Sequence, residues 1–386
     1  MTREEKFLIE VCKAYINNAD INIPDHLDYK ELFRIAKHHN LLGICYCVIN
    51  TSKSKSSIPE NFLSALKEKF FDSIYIFECQ KACAQEVKDM LTSSQTRHIL
   101  FKGIMLREMY PVPESRTMGD IDILIDLRNR DAVKKALINA GFDCTEQNGP
   151  VYNYRKNGVL LEVHTQIISE FGDNAFTDAF DNAVFDGYTG VLNDDYHMAY
   201  LIAHTAHHFK FYGAGIRHVL DLAVIQKNKT INLNNVLGIL KPIGLDTFAK
   251  VILSVCFDWF GTGKKFIENT EKTQQYLCRC GVFGSMQENI GAIVTRKEME
   301  NHSAASSFFV KLRLAFPSYE KLKNINYIKF IDGRPYLTPY AWIYRFFYNI
   351  KNRKSFIAKT INEIDDENTQ ELARQELAYF KEIGLL

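Results

Sequence analysis

The decapeptide RTMGDIDILI at residues 116–125 constrains the fold more than any other stretch. It places Asp120 and Asp122 two positions apart within a run of Ile and Leu. As a β-strand, it presents alternating isoleucines on one face and begins the other face with the two acids. A buried carboxylate without a partner is costly, so this strand either reaches solvent at its acidic end or meets cations there.

Short patterns on both sides of this strand predict two neighbouring strands. The apolar run HILF is stopped by Lys102 and Gly103 and followed by IMLREMY, which indicates a strand, a glycine turn and a short helix. Downstream, VYNYRK and VLLEVHTQI are separated only by Asn157 and Gly158, a dipeptide that favours a type I′ hairpin turn. The second strand of this hairpin carries Glu162 on its polar face, which adds a third carboxylate.

Three carboxylates on adjacent strands are suited to binding divalent metal ions. Two acids on one strand face have Cα atoms about 7 Å apart, and they resist double ionisation unless cations intervene. Mg²⁺ binds carboxylate oxygens together with phosphates, and two such ions can stabilise both the attacking and the leaving oxygen of phosphoryl transfer. On its own, however, a D-x-D pair is also common at the solvent end of an ordinary strand.

The turn before the acidic strand has features of a phosphate site. Gly103 would let a phosphate chain approach the backbone N–H groups at the start of the next helix. Lys102, Arg107 or Arg116 could add positive charge there. For Lys102 and Arg116, a solvated surface charge is the plain alternative.

The chain has 386 residues, which is enough for two or three domains. Apolar residues spaced by three and four predict a helical region over 1–90 and a helical domain over 191–386. Between them, the strand patterns predict a small α+β unit over 91–190 that carries the acids. The predicted fold class is therefore α+β, with a small sheet flanked by helical regions.

The composition is typical of a globular protein, with 46% hydrophobic and 24% charged residues. The formal net charge of +1 creates no overall field that would attract nucleic acid or a membrane. No apolar run is long enough to predict a transmembrane helix, and the first residues do not follow a signal-peptide pattern. Nine scattered cysteines favour reduced thiols, so we expect a cytoplasmic protein.

The segment FKGIMLREMYPVPESRTMGDIDILI, followed by LLEVHTQI, resembles the nucleotidyltransferases of the DNA polymerase beta superfamily. It resembles more closely a bacterial group of uncharacterised nucleotidyltransferases. This resemblance implies a small polymerase-beta-like sheet. It also implies that Asp120 and Asp122 are catalytic and bind two metal ions, and that Glu162 joins the ion that activates the acceptor.

The same resemblance implies that Gly103 holds the β- and γ-phosphates of a nucleoside triphosphate. The chain departs from the superfamily pattern at the next position. Many members have a serine there, whose hydroxyl binds phosphate, whereas this chain has Ile104. Lys102 and Arg116 are therefore the candidates to hold the triphosphate in its place.

The activity implied by the resemblance is transfer of a nucleoside monophosphate from an NTP such as ATP, with release of pyrophosphate. The expected cofactor is Mg²⁺, as two ions, with Mn²⁺ as a substitute. The acceptor would be a small molecule or a peptide, and a nucleic acid is not favoured. Two alternatives stay open, namely pyrophosphoryl transfer on the same site and a non-catalytic nucleotide-binding or assembly protein on the same fold.

Several histidines allow more than one interpretation. His204, His207 and His208 follow one helical face at spacings of three and four, which could suit zinc but lacks an accompanying acid. The resemblance places His204 and His207 at the cleft, orienting phosphate or acceptor, and core packing is the alternative. His164 shares a strand face with Glu162, so it either supports a metal ligand or is an ordinary strand histidine.

Two other charged patterns have plain interpretations. Arg217 and Asp221 are four residues apart on a predicted helix, as expected for a surface ion pair, although the family resemblance allows a role in the cleft. Residues 311–359 hold eleven Lys or Arg and two acids among many aromatic residues. We interpret this segment as core packing with a solvated basic rim, and a nucleic-acid or membrane surface is the alternative.

Overall fold

A computed structural model describes residues 1–167, 171, 175–281, 296, 307–323 and 325–386. The chain divides into two compact units, Met1–Gly284 and Ser285–Leu386, and each is described by itself. The first unit contains a mixed sheet with helices before and after it, which confirms the predicted α+β class.

The first unit begins with helices, as the apolar periodicity predicts for residues 1–90. Thr2 forms a capping box with Glu5 at the start of the first helix, and Asp28 caps the second by accepting two backbone N–H bonds. The fourth helix is the longest and buries one side against the sheet. These helices are α1 (Arg3–Asn17), α2 (Tyr29–His38), α3 (Leu42–Thr51) and α4 (Glu60–Ser93).

Seven strands form one mixed sheet in the order β3-β4-β5-β2-β1-β7-β6. The acidic strand lies in the middle, antiparallel to β1 and parallel to β5. The strands are β1 (His98–Phe101), β2 (Asp120–Ile125), β3 (Asp143–Asn148), β4 (Val151–Lys156), β5 (Val159–His164), β6 (Ala183–Asp186) and β7 (Thr189–Leu192). The predicted strands at β1, β2, β4 and β5 are confirmed. The β6–β7 hairpin has no counterpart among the predicted strands.

The hairpin between β4 and β5 has the predicted turn. Asn157 has φ 50° and Gly158 has φ 80°, the two positive angles of a type I′ turn. Pairing of β5 with β2 then places Glu162 directly beside Asp122. The turn thus determines which residues of β5 share a face with the acids.

The two faces of β2 have different surroundings. Its isoleucines, Ile121, Ile123 and Ile125, are fully buried and pack in one core with α4 and with α6 (Arg130–Asn139). The opposite face begins with the acids, near the short helix α5 (Gly103–Arg107). The predicted alternation of this strand is therefore confirmed, and the apolar face is what holds the acidic face in place.

Within the described residues of the first unit, five helices follow the sheet. They are α7 (Asp194–Phe211), α8 (Ile216–Asn228), α9 (Leu233–Leu240), α10 (Asp246–Phe260) and α11 (Glu271–Cys280). Most side chains of α7, α8 and α10 are buried, so these helices form the core of this part of the unit. All nine cysteines are free, as predicted.

The second unit contains four described helices, α12 (Ser307–Ala315), α13 (Tyr319–Lys323), α14 (Thr338–Asp365) and α15 (Glu367–Glu382). Its small core contains Leu322, Ile328, Ile331 and Ala341. α14 is interrupted at Arg353, whose φ of −140° is not helical. Across the described residues, no helix has both the length and the apolar character needed to cross a bilayer.

Candidate active site

The parallel pairing of β2 and β5 brings together one donor group from each of three side chains. Asp122 lies beside Glu162, and His164 lies two residues further along the same face of β5. His164 Nε2 is 2.9 Å from Asp122 Oδ1 and 3.4 Å from Glu162 Oε2. Among the described residues, these three form the group whose ligand atoms, all within 4.8 Å of one another, could hold a metal ion.

Lys102 supplies a cation at this cluster. Its Nζ donates a hydrogen bond of 2.6 Å to Asp122 Oδ1, and both side chains are largely buried. Lys102 has φ 56° and ψ −131°, a backbone conformation that a residue with a side chain rarely adopts. Such strain persists where the surrounding structure requires it, and it is frequent at functional sites.

The two acids of β2 have opposite pKa shifts. Burial and the neighbouring charge of Asp122 raise the pKa of Asp120 to about 6. Burial also acts to raise the pKa of Asp122, but Lys102 and His164 outweigh it and hold that pKa below its ordinary value. Asp122 is therefore an anion at neutral pH. Asp120 loses its proton less readily, and a further cation nearby would stabilise its ionised form.

Gly103, the residue after Lys102, lies in close contact with a second buried cation, the guanidinium of Arg116. A Cβ atom at this position would lie 3.1 Å from Arg116 Nη1, and Nη1 donates a hydrogen bond of 3.2 Å to Gly103 O. The helix that begins here has only five residues, so its aligned peptide dipoles contribute less to anion binding than the sequence interpretation assumed. Arg107 is buried against α4, where it binds Gln80, and is not available as a phosphate ligand.

Arg116 is bound to Asp221 of α8 through two hydrogen bonds. Its Nε and Nη2 atoms are 2.7 Å and 2.9 Å from the two carboxylate oxygens, and Tyr110 donates a further bond of 2.6 Å to Asp221 Oδ1. The interpretation of Asp221 as a surface partner of Arg217 is wrong, because Asp221 is buried and binds Arg116. Arg217 instead donates to the backbone oxygen of Thr117 at 2.8 Å.

The histidines of α7 extend an aromatic series that begins beside the acids. The ring of Phe101 lies 5.2 Å from His164 and 5.6 Å from Tyr200, and Tyr200 stacks on His204 at 6.0 Å. His208 is 4.5 Å from His204, while His207 contacts the rings of Phe211 and Tyr212. Burial lowers the pKa of His204, and that of His208 to about 4, so both rings are neutral at pH 7.

The donor set suits a hard divalent ion. Two carboxylates supply the oxygen ligands that Mg²⁺ and Mn²⁺ prefer, and an imidazole is also compatible with Mn²⁺. Asp120 lies two residues before Asp122 on the same face of β2. Its pKa is raised, and a nearby divalent ion would lower it again. The residues present therefore fit the expected metal.

Comparison with known proteins agrees with this geometry. The model of a family described as uncharacterised nucleotidyltransferases matches residues 25–261, more than half of the chain. The chain belongs to this nucleotidyltransferase family. No curated protein matches it. Family membership indicates a transferase that uses a nucleoside triphosphate, and it leaves the acceptor and the metal requirement to be proposed.

The nucleotidyltransferase fold brings most of the predicted site residues together. Asp122, Glu162 and His164 form one cluster, Lys102 binds Asp122, and Asp120 lies on the same strand face. Gly103 and Arg116 form the adjacent turn, and His204 is connected through Tyr200, whereas His207 lies further along α7. Sequence reasoning missed Tyr200, although its position four residues before His204 on one helical face was an available signal.

Proposed function

We propose that the protein is a Mg²⁺-dependent nucleotidyltransferase that moves a nucleoside monophosphate from an NTP to a small-molecule or peptide acceptor. The observation that best supports this proposal is the cluster of Asp122, Glu162 and His164, with Lys102 bound to Asp122. The cluster occurs in a member of a nucleotidyltransferase family. An oxygen or nitrogen of the acceptor would bond to the α-phosphorus. The bond from that phosphorus to the bridging oxygen would break, pyrophosphate would leave, and the acceptor proton would pass to solvent.

Each acid has a proposed role in holding the metal. Asp120, Asp122 and Glu162 would supply oxygen ligands, while His164 would be either a further ligand or the group that orients Asp122 and Glu162. When bound, divalent ions would neutralise charge on the phosphate oxygens and favour ionisation of the acceptor. The chain's own contribution is to hold the acids close together on two strands that a buried core keeps rigid.

Lys102 is our candidate for the triphosphate contact that a serine makes in other superfamily members. Its ammonium group lies at the acids, and Lys102 immediately precedes Gly103 in the chain. Arg116 has a different proposed role. Since its guanidinium binds Asp221 and the carbonyl of Gly103, it would position the turn.

The decisive experiment is a pyrophosphate-release screen of the four NTPs against pools of metabolites, peptides and tRNA. Asp120→Asn and Asp122→Asn variants serve as controls and should each reduce the rate by about 10³-fold, as for loss of a group that stabilises transition-state charge. Mass analysis of the products separates nucleotidyl transfer, which yields pyrophosphate, from pyrophosphoryl transfer, which yields a nucleoside monophosphate. Equal rates in the wild type and Asp122→Asn would exclude catalysis at this site.

One observation favours a second candidate, a non-catalytic nucleotide-binding protein. Lys102 and His164 already neutralise Asp122, so the buried acid is tolerated without any ion. Isothermal titration with each NTP distinguishes the two candidates. Binding that requires Mg²⁺ and is lost in the Asp120→Asn, Asp122→Asn double variant supports the enzyme, whereas metal-independent binding supports the alternative.

A further inference from the structure

The second unit exposes a continuous stripe of large apolar side chains along α14. Tyr340, Ile343, Phe347 and Ile350 follow one another at spacings of three and four and are each between 48% and 65% exposed. Phe346, at 60%, widens the stripe. Soluble proteins rarely expose contiguous apolar patches of this kind unless the patch binds something. The interpretation of this segment as core packing is therefore incomplete.

A groove on the same unit continues the apolar stripe. Its volume is about 670 Å³, and it lies between α12, the two halves of α14 and the residues that follow α12. Ile343, Phe346 and Ile350 belong both to the exposed stripe and to the groove wall. The other apolar side chains of the wall are Leu314, Phe316, Trp342 and Ile361.

The surroundings of the stripe are strongly basic. Residues 311–359 hold eleven Lys or Arg and two acids, a formal charge of +9 from these residues (11 − 2). Lys329, Arg334, Lys351 and Arg353 are exposed, and within the described part of the chain none of them takes part in an ion pair. Lys311, Lys323 and Lys359 do form ion pairs, with Asp365, Glu320 and Glu363. The charge of the four exposed residues is therefore the part that is available to an anionic partner.

We propose that this face of the second unit binds the surface of an anionic phospholipid bilayer. Exposed aromatic and aliphatic side chains flanked by lysine and arginine are the elements of an interfacial helix, and tyrosine and tryptophan favour the headgroup level. Anionic headgroups complement the basic charge. A second copy of the chain would bring like charge against like charge, and Ile343 and Ile350 cannot stack on nucleic-acid bases.

The test uses the full chain and vesicles of defined composition. The protein should co-sediment with phosphatidylcholine vesicles that contain phosphatidylglycerol, and much less with pure phosphatidylcholine vesicles. A Phe346→Ser, Phe347→Ser double variant should lose this binding. The matched control is Phe71→Ser, Tyr75→Ser on α4, which removes exposed aromatic residues of the first unit and should bind as the wild type does. Circular dichroism confirms that each variant is folded.

A charge variant tests the electrostatic part separately. Lys351→Glu, Arg353→Glu should weaken binding to the anionic vesicles by about tenfold or more at low salt, because each basic residue near the surface contributes. Three results would overturn the proposal. They are equal vesicle binding by the Phe346/Phe347 variant and the wild type, binding to a single-stranded RNA oligonucleotide in place of vesicles, and a lower oligomeric mass in that variant, which would assign the stripe to self-association.

Discussion

Two buried cation–carboxylate contacts lie on either side of the turn at Gly103, and they are built differently. On one side, Lys102 binds a single oxygen of Asp122, which it shares with His164. On the other side, Arg116 binds both oxygens of Asp221. Tyr110 adds a third hydrogen bond to the same carboxylate.

This difference indicates in which of the two contacts a divalent ion can replace the side-chain cation. A planar guanidinium bound through two parallel hydrogen bonds is geometrically fixed, and it suits a group that positions a backbone turn. A lysine ammonium is a point charge on a flexible stem, and in the described structure the second oxygen of Asp122 has no hydrogen bond to protein. We therefore expect a divalent ion to replace the charge of Lys102 and not that of Arg116.

The largest effect is expected for Arg116→Met. This change leaves Asp221 buried and charged, with Tyr110 as its remaining hydrogen-bond donor, so the free energy of unfolding should fall by about 3–5 kcal/mol. Urea denaturation followed by circular dichroism measures it. Arg116→Lys is the matched control, because it keeps the charge but loses the paired hydrogen bonds. Its free energy of unfolding should lie between those of the wild type and Arg116→Met. A loss below about 1 kcal/mol in Arg116→Met would contradict the structural role of this pair.

Lys102→Met should lose about 2–3 kcal/mol of stability in EDTA, less than Arg116→Met because His164 still binds Asp122. Millimolar Mn²⁺ should restore most of this loss, since a divalent ion supplies the missing charge and binds the folded state. The same Mn²⁺ should not restore Arg116→Met. Denaturation of both variants with and without Mn²⁺ measures the contrast, and equal Mn²⁺ effects on the two would remove the distinction between the contacts.

Asp120→Asn should stabilise the protein in the absence of metal. The raised pKa of Asp120, about 6, means that the folded state keeps a proton that the unfolded state loses near the ordinary value of 3.8. The contribution of Asp120 to stability should therefore fall as pH rises from about 4 through about 6 and then level off, whereas buried histidines with lowered pKa values, such as His208, act in the opposite direction in wild type and variant alike. The variant lacks this loss and should be more stable by roughly 1–3 kcal/mol at neutral pH, with little difference below about pH 4.

Denaturation in EDTA at a series of pH values measures this prediction. Asp126→Asn is a suitable comparison, because the pKa of Asp126 is lowered to about 2 by the side chain and backbone N–H of Arg128. Its loss should destabilise the protein above about pH 4 or leave it unchanged. A destabilised Asp120→Asn protein at neutral pH would show that Asp120 is already paired with a cation.

The smallest effect is expected for Tyr110→Phe. The change removes one of the three hydrogen bonds to Asp221 while the two from Arg116 remain, so the free energy of unfolding should fall by about 1 kcal/mol. Tyr336→Phe is the control, since Tyr336 is 75% exposed and its change should have almost no effect. A loss as large as that of Arg116→Met would mean that the pair depends on Tyr110 for its geometry.

Local patterns were sufficient to predict the acidic strand and its neighbours. The alternation of Asp120–Ile125 determines which side chains face the core, and the positive φ angles at Asn157 and Gly158 are a local property of those residue types. The shared face of Glu162 and His164 follows from the same period of two, so the sequence also anticipated this side of the site.

Contacts between distant segments could not be predicted in this way. Arg116 and Asp221 are 105 positions apart, and no local pattern connects them, whereas Arg217 lies one helical turn from Asp221 and was the partner that local spacing predicted. The pairing of Lys102 with Asp122 depends on the antiparallel register of β1 and β2, in which Phe101 lies beside Asp122. The β6–β7 hairpin is short, and its exposed face carries Val184 and Val191 beside its polar residues, so its alternation gives little signal.

The two-residue turn between β4 and β5 has a consequence far from its own position. Odd and even residues of β5 lie on opposite sides of the sheet, so an insertion of one residue would carry Glu162 and His164 toward α4 and present Leu161 and Val163 to the acids. The length of this turn therefore decides whether the polar or the apolar side chains of β5 face Asp122.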